Sequence, residues 1–213
     1  MYRLRMMVLK QKFEWREIEW KGGLKIMISE KAVEDNTQKT IQIALIRAKE
    51  LGVKDIVVAS ASGKTAELAL NMINSDKSLK AINLVCVTHQ IGFVRPNYDE
   101  MAIEIRQNLL SKGVKILTTT HLLAGVDRAL RFQFKGVYPA EIVSTTLRMF
   151  GQGIKVCVEI AVMAADAGFV HAGKDIIAIG GTGSGADAAA VICPAHSQDF
   201  FKTVVREIIC KPF

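Results

Sequence analysis

The chain has 213 residues, 50% of them hydrophobic and 23% charged, which is typical of one globular domain and excludes a disordered chain. No apolar run approaches the roughly 18 residues that a membrane span needs, and the N-terminus lacks the apolar core of a signal peptide, so we expect a cytoplasmic protein without membrane contact. The net charge of +7 favours anionic ligands. Because the basic residues are scattered, the sequence does not favour nucleic-acid binding.

Short apolar runs alternate with amphipathic segments along the chain. We predict that residues 1–22, which are basic and aromatic, form an N-terminal extension, folded as a hairpin or as a partner contact, before a single domain of residues 23–213. Continuous apolar runs are typical of strands that are buried on both faces of a parallel sheet. Such strands are predicted at residues 24–29, 55–60, 82–88, 114–120 and 175–181, with a final strand, antiparallel at the sheet edge, within 186–195.

Three of the intervening segments predict helices. The first can be capped by Asn36, has apolar residues at helical spacing and is closed by Gly52. A similar pattern occupies residues 98–113. Residues 154–168 are apolar nearly all round, which predicts a helix that is buried by several neighbours, including a second subunit. We therefore expect a homo-oligomer.

The cysteines and histidines lack the spacing of a disulfide framework or a metal site. The four cysteines lie far apart and form no CxxC pair, which favours reduced thiols in the core. His89, His121 and His196 are isolated in the sequence, and polar loop histidines of this kind are more common than metal ligands. We therefore predict no metal site.

Two carboxylates lie on the apolar helix. Glu159 and Asp166 share one face of it, and we interpret them as structural groups that meet basic partners, with an acid–base pair as the alternative. Neither is assigned to catalysis, and the catalytic residues stay unknown. The aromatic residues predicted to lie in the core are Phe93, Phe169 and Phe200.

The alternation of strands and helices predicts a three-layer α/β/α sandwich, which binds ligands beyond the carboxyl ends of its parallel strands. Four predicted strands end in small polar segments that are rich in hydroxyls or free backbone N–H groups. We expect them to form one pocket for a polar, phosphorylated ligand. The candidate binding residues are Ser60, Ala61, Ser62, Gly63, Lys64, Thr65, Thr88, His89, Gln90, Thr120, His121, Gly181, Thr182, Gly183, Gly185, Ala186 and Asp187.

The segment SGKT at residues 62–65 resembles the end of a nucleotide-binding P-loop but lacks its first glycine, whose place is taken by Val58. It therefore predicts a site for one phosphate at a helix N-terminus, with a plain helix cap by Ser62 as the alternative. The glycines of residues 180–187 follow the fifth predicted strand, so a Rossmann fingerprint is not indicated. They would let the backbone approach a ligand, or they form a hairpin turn.

Six sequence blocks occur in order between residues 24 and 213: VVASASGKTAELAL, VTHQIGFVRP, THLLAGVDRA, KVCVEIAVMAADAG, GGTGSGADAAAVICPAHS and FFKTVVREIIC. In these blocks the chain resembles an archaeal and bacterial protein family, of unestablished reaction, that is related to the pyruvate kinase C-terminal domain. The resemblance implies a mixed five-stranded sheet between helices, with the last strand antiparallel. It also implies bound flavin mononucleotide (FMN).

The resemblance also implies roles for single residues. In pyruvate kinases the equivalent turn grips an effector phosphate, and Ser60, Ser62, Gly63 and Thr65 occupy its positions here. The catalytic domain of pyruvate kinase has no counterpart in the chain, so that activity is not implied. Relatives can carry the histidine of the second block one place later, so the resemblance leaves open whether His89 or the following glutamine faces the ligand.

Three hypotheses about function follow. The first is an FMN-binding protein, with oxidoreductase activity as an extension, whose flavin would lie near the four strand ends. The second is a phosphosugar-binding regulatory or isomerase-like module, because SASGKT also resembles the serine-rich turn of sugar isomerase domains. The third is a non-catalytic subunit that a nucleotide stabilises.

Overall fold

The computed structural model describes residues 16–19, 25–29 and 36–212. The described residues form an eight-stranded sheet with helices on both faces. The helices are α1 (Thr37–Leu51), α2 (Lys64–Ser75), α3 (Ile103–Ser111), α4 (Gly125–Phe134), α5 (Pro139–Leu147) and α6 (Gln152–Asp166). The strands are β1 (Arg16–Glu19), β2 (Lys25–Ser29), β3 (Asp55–Ala59), β4 (Asn83–Val87), β5 (Lys115–Leu117), β6 (Ile176–Gly180), β7 (Ala188–Cys193) and β8 (Val204–Pro212).

The sheet has the strand order β1-β2-β8-β7-β6-β3-β4-β5. Strands β6, β3, β4 and β5 are parallel, whereas β7 is antiparallel to both of its neighbours, β6 and β8. On the far side β8 pairs parallel with β2, and β2 pairs antiparallel with β1. The predicted α/β class, with a mostly parallel sheet and antiparallel strands late in the chain, is confirmed.

The strand count and one strand position differ from the predictions. The described residues form eight strands rather than five, and β7, which was predicted at the sheet edge, is internal because β8 covers its outer side. Charged Arg206 and Glu207 interrupt the apolar pattern of β8. The Arg47 guanidinium of α1 donates two hydrogen bonds, of 2.8 and 3.0 Å, to one Glu207 oxygen, so this charge is paired across the sheet face.

Side chains of the central strands alternate between two cores. Val58 and Cys86 face α1 and α2, whereas Val57 and Val85 face α6. Helix α1 follows Asn36 and ends at Gly52, as predicted, but the Asn36 side chain makes no capping hydrogen bond to the helix, and α3 begins only at residue 103 rather than 98. The resulting three layers place the ends of β3, β4 and β6 beside the first turns of α2 and α6.

Helix α6 is buried by its own chain. Every residue from Gly153 to Ala165 except Val156 is buried, against β3, β6 and β7 on one side and the polypeptide around α5 on the other. Its first turn lies very close to the sheet: a Cβ atom on Gly180 would lie 2.6 Å from the Gly153 carbonyl oxygen. The helix therefore needs no second subunit to cover it, and this basis for the predicted homo-oligomer was wrong. Oligomerisation itself stays a prediction.

Several smaller predictions can be compared with the structure. Cys86, Cys157, Cys193 and Cys210 are buried free thiols, as predicted, and burial raises the pKa of Cys86 and of Cys210 to about 12. Within the described residues, no helix combines the length and apolar character that crossing a bilayer requires. Most of the predicted extension, residues 1–22, lies outside the described residues, so its separation from the domain stays a prediction.

Candidate ligand-binding site

A cavity of about 660 Å³ lies where the parallel strands β3, β4, β5 and β6 end. The N-terminal turns of α1, α2 and α6 also contribute to its wall, and helix N-termini favour anions. Eleven predicted residues line it: Ser60, Ala61, Ser62, Lys64, Thr65, Thr88, His89, His121, Gly181, Gly183 and Gly185. Six predicted residues are not in its lining: Gly63, Gln90, Thr120, Thr182, Ala186 and Asp187.

The turn between β3 and α2 is organised by Ser60. The Ser60 hydroxyl accepts hydrogen bonds from the backbone N–H groups of Thr65, at 3.2 Å, and Ala66, at 3.3 Å. Ser60, rather than Ser62, therefore caps α2, which leaves the Ser62 side chain for the cavity. Gly63 has φ +86°, and its ideal Cβ would lie 2.5 Å from Ile105 of α3, so this glycine shapes the turn and does not line the cavity.

Three backbone donors of this turn are available to a ligand. Within the described part of the chain, no acceptor receives the N–H groups of Ser62, Gly63 or Lys64. They precede the first intrahelical bond of α2, from Glu67 N–H to the Gly63 carbonyl. Together with the Lys64 side chain, which lies in the cavity wall, they provide donors and charge suited to one phosphate group.

Aromatic rings form another part of the wall. The His89 and Phe93 ring centroids lie 4.2 Å apart, and each lies 5.1–5.2 Å from that of His121. Phe93 is exposed in the cavity wall, so its prediction as a core residue was wrong. Between His89 and the following glutamine, it is His89 that lines the cavity.

The two histidines of the cavity have different surroundings. His89 Nδ1 lies 2.6 Å from a Glu100 carboxylate oxygen, which orients its ring. Burial lowers the pKa of His121; the Glu159 carboxylate opposes this shift, whereas His89, Lys155 and Arg128 reinforce it. His196 lies elsewhere, with Nδ1 3.2 Å from Asp166. Among the described residues, no group of three or more His, Cys, Asp or Glu is placed to hold a metal ion.

The carboxylates of α6 have the structural partners that the sequence predicted. Glu159 pairs with Lys155 one turn earlier, and its other oxygen accepts a 2.8 Å hydrogen bond from the Leu123 N–H. Both side chains are buried and both contribute to the cavity wall. This pair therefore fixes the loop before α4 against α6, and it places a buried ion pair in the cavity wall.

The glycine-rich loop closes an antiparallel hairpin between β6 and β7, so the turn interpretation was correct, and the loop also lines the cavity. The residues of this loop that do not line the cavity stabilise the loop by hydrogen bonds. Asp187 is buried, accepts a 3.1 Å hydrogen bond from Thr182 N–H, and has its pKa raised by burial. The Ala186 N–H donates to the Thr37 hydroxyl at the start of α1.

Sequence reasoning missed the side of the cavity that the helices supply. The site was predicted from polar residues that follow strands, and the cavity residues in the first turns of α4 and α6 do not follow a strand directly. The cationic side chains in the wall are Lys64, Arg128, Arg148 and Lys155, against two carboxylates, those of Glu100 and Glu159, so positive charge is in excess. Apart from Lys64, none of these charged residues was predicted to bind the ligand; the other lining residues that were missed are Thr37, Ala59, Leu68, Val87, Phe93, Ala124, Gln152, Val156 and Ser184.

Comparison with known proteins identifies the relatives of the chain. Residues 38–192 match the family described as pyruvate kinase, alpha/beta domain. Similar solved structures include a pyruvate kinase from Cryptosporidium parvum, with 15% identity, a TM-score of 0.38, and coverage of 74% of this chain and 23% of that one. They also include the pyruvate kinase of the same organism in complex with ADP, with 15% identity, a TM-score of 0.38, and coverage of 74% and 24%. The chain thus spans less than a quarter of these enzymes.

Proposed function

The chain belongs to the pyruvate kinase alpha/beta domain family, and from this premise we propose that its 660 Å³ cavity binds FMN. One observation carries the proposal: a single cavity combines a turn suited to one phosphate with a cluster of aromatic and imidazole rings. Its volume lies within the roughly 300–1,000 Å³ of typical small-molecule sites. The proposed extension is a flavin-dependent oxidoreductase, and the homo-oligomer stays part of the proposal.

The phosphate would be held by the turn between β3 and α2. The N–H groups of Ser62, Gly63 and Lys64 are its donors, with the Ser62 hydroxyl and the Lys64 ammonium beside them. A hydrogen bond to a charged group contributes roughly 1.5–3 kcal/mol when it is well made. Because the turn lacks the long glycine loop of a P-loop, it supports one terminal phosphate rather than a magnesium-bound triphosphate.

The flavin ring would lie against the aromatic part of the wall. Phe93, His89 and His121 offer flat surfaces, and the apolar side chains of Leu68 and Val156 border the same cavity. When bound, the flavin would supply one- and two-electron transfer chemistry. The residues of this chain would bind and orient it, and the Arg128 guanidinium would favour electron density on the ring.

A second candidate is a phosphosugar-binding module with isomerase-like chemistry. The observation that favours it is the His89–Glu100 pair in the cavity wall, because a carboxylate-oriented imidazole can move a proton. A purified protein that is yellow, with flavin absorption bands, supports FMN. A colourless protein that is stabilised against heat only by sugar phosphates supports the second candidate. Binding of FMN without turnover would indicate a non-catalytic, nucleotide-stabilised subunit.

The test replaces the serine of the turn that does not cap α2. Ser62→Asp places a carboxylate where the phosphate would lie, and it leaves the Ser60 cap intact. We expect FMN affinity to fall at least about a hundredfold, because the lost bonds and the new repulsion together exceed roughly 2.7 kcal/mol. Riboflavin, which has no phosphate, should bind wild type more weakly than FMN does, and its affinity should change little in the variant.

The matched control is Asn71→Asp, which adds the same charge to an exposed position of α2 and should leave FMN affinity within about twofold. Affinities are measured by flavin fluorescence and calorimetry on the apoprotein. Equal wild-type affinity for FMN and riboflavin, or tight magnesium-dependent ATP binding, would contradict the proposal.

A further inference from the structure

A second cavity, of about 380 Å³, lies next to the first, between α4, α5 and the helical turn Arg148–Phe150. The two cavities share three lining residues: Ala124, Arg128 and Arg148. The second cavity therefore opens onto the same region as the proposed ligand site. None of its remaining lining residues belongs to the polar strand ends from which the ligand pocket was predicted, so this cavity was not anticipated.

Three arginines dominate the wall of this second cavity. Arg131 is paired, with its Nε 2.8 Å from a Glu141 carboxylate oxygen. Arg148 donates from Nε to the neutral amide oxygen of Gln152 at 2.6 Å, and the Arg128 guanidinium lies 5.2 Å from the centroid of the Phe93 ring. In the part of the chain that the structure describes, neither Arg128 nor Arg148 pairs with a carboxylate.

The wall also contains neutral polar groups that suit a small acid. Ser144 is buried and Thr145 lies beside it in α5, and both belong to the lining. Glu141, the acidic residue of the lining, already has Arg131 as a partner. The three guanidiniums therefore exceed the carboxylates by two, and an anion bound in this wall would be attracted by the two unpaired guanidiniums.

We propose that the second cavity binds the oxyanion group of a small molecule, a carboxylate or a phosphate ester, between Arg128 and Arg148. Guanidinium groups bind both kinds of oxyanion in a two-pronged geometry, which distinguishes arginine from lysine. The volume of 380 Å³ is at the lower end of small-molecule sites, so the ligand is smaller than a nucleotide. The shared arginines place its anionic end at the border of the first cavity, whichever ligand that cavity holds.

The experiment uses the full chain without added flavin and two probes, succinate for a carboxylate and inorganic phosphate for a phosphate ester. Calorimetry at constant ionic strength compares wild type with Arg128→Gln and Arg148→Gln, each of which we expect to weaken binding of the preferred probe about tenfold. The variants Arg128→Lys and Arg148→Lys keep the charge but lose the planar two-pronged donor group, so their affinity for the probe should lie between those of wild type and the glutamine variants. Arg95→Gln removes one charge outside both cavities and should have no effect.

A second measurement assigns the probe to one cavity. In amide NMR spectra, the preferred probe should shift Val137 and Thr145, which line only the second cavity, whether or not phosphate also shifts Ser62 and Gly63 in the turn suited to one phosphate group. Shifts confined to the turn of Ser62 would place the anion in the first cavity and overturn the proposal. Unchanged affinity in both glutamine variants, or binding of neither probe below about 10 mM, would also overturn it. None of these outcomes depends on whether FMN binds.

Discussion

Helices α6 and α4 both carry many apolar side chains, but the chain buries only one of them. Ile160 of α6 is 4% exposed, whereas Phe132 and Phe134 of α4 are 65% and 69% exposed, and no residue of α4 is buried. Helix α6 lies directly on the sheet, while α4 is separated from the sheet by the cavity and packs on α5. Apolar content therefore identifies a surface that can be buried, but the topology decides whether the same chain buries it.

The first prediction sharpens this contrast. Ile160→Ala should lower the free energy of unfolding by about 2–5 kcal/mol, because it removes transfer free energy and leaves a cavity in the α6 core. Phe134→Ala, at the exposed α4 position, should change it by no more than about 0.5 kcal/mol in the monomer. Urea denaturation of both variants gives the two values. Similar losses in the two variants would show that α4 is as well packed as α6.

The second prediction concerns what covers α4. If the predicted homo-oligomer forms through the exposed phenylalanines of α4, Phe132→Asp should raise the subunit dissociation constant at least tenfold, about 1.4 kcal/mol. Light scattering at micromolar concentration measures the mass. Phe201→Asp is the matched control, since Phe201 is 88% exposed and lies outside α4. A wild-type protein that is monomeric at all concentrations would remove the oligomer from the proposal.

The third prediction, with the smallest expected effect, concerns His121, which lies in the loop before α4 and lines the first cavity. Burial lowers the pKa of His121 below its usual 6.5, so the unfolded state binds more protons near that pH. The stabilisation from neutral His121 is complete above pH 6.5 and is lost as the pH falls from 6.5 through the folded-state pKa. In His121→Gln, this part of the pH dependence of unfolding should disappear. Parallel urea titrations between pH 4.5 and 8 test it, and identical slopes for both proteins would contradict it.

The sequence predicted the strands and helices that have a regular pattern of apolar residues or a clear stop signal. The apolar runs of β3, β4 and β6 and the stop of α1 at Gly52 are local signals, and each is found where it was expected. Strand β8 was missed because Arg206 and Glu207 break its apolar pattern. Only the tertiary contact with Arg47, far away in the sequence, explains how the partly buried Glu207 carboxylate is accommodated. Helix α4 follows β5, but α5 and α6 come after it with no strand between them, so the alternation of strands and helices did not predict α4 and α5 in addition to α6.

The candidate site divides in the same way. Strand ends can be recognised in sequence, and they correctly brought Ser60, Thr88 and His121 to one cavity. The exchange of roles between Ser60 and Ser62 could not be predicted, because it depends on the direction in which the turn carries each hydroxyl. The arginines of α4 and of the turn after α5 reach the cavity through tertiary packing that no local pattern records.

The Ser60 hydroxyl has a consequence for how the protein is loaded. It satisfies the amides of Thr65 and Ala66 at the start of α2, which would otherwise depend on solvent or on an incoming anion. The beginning of the helix is thus complete before any ligand arrives, while the three amides ahead of it stay ready to receive one. Helix α2 can therefore begin without a ligand, and exchange of one ligand for another need not unwind it.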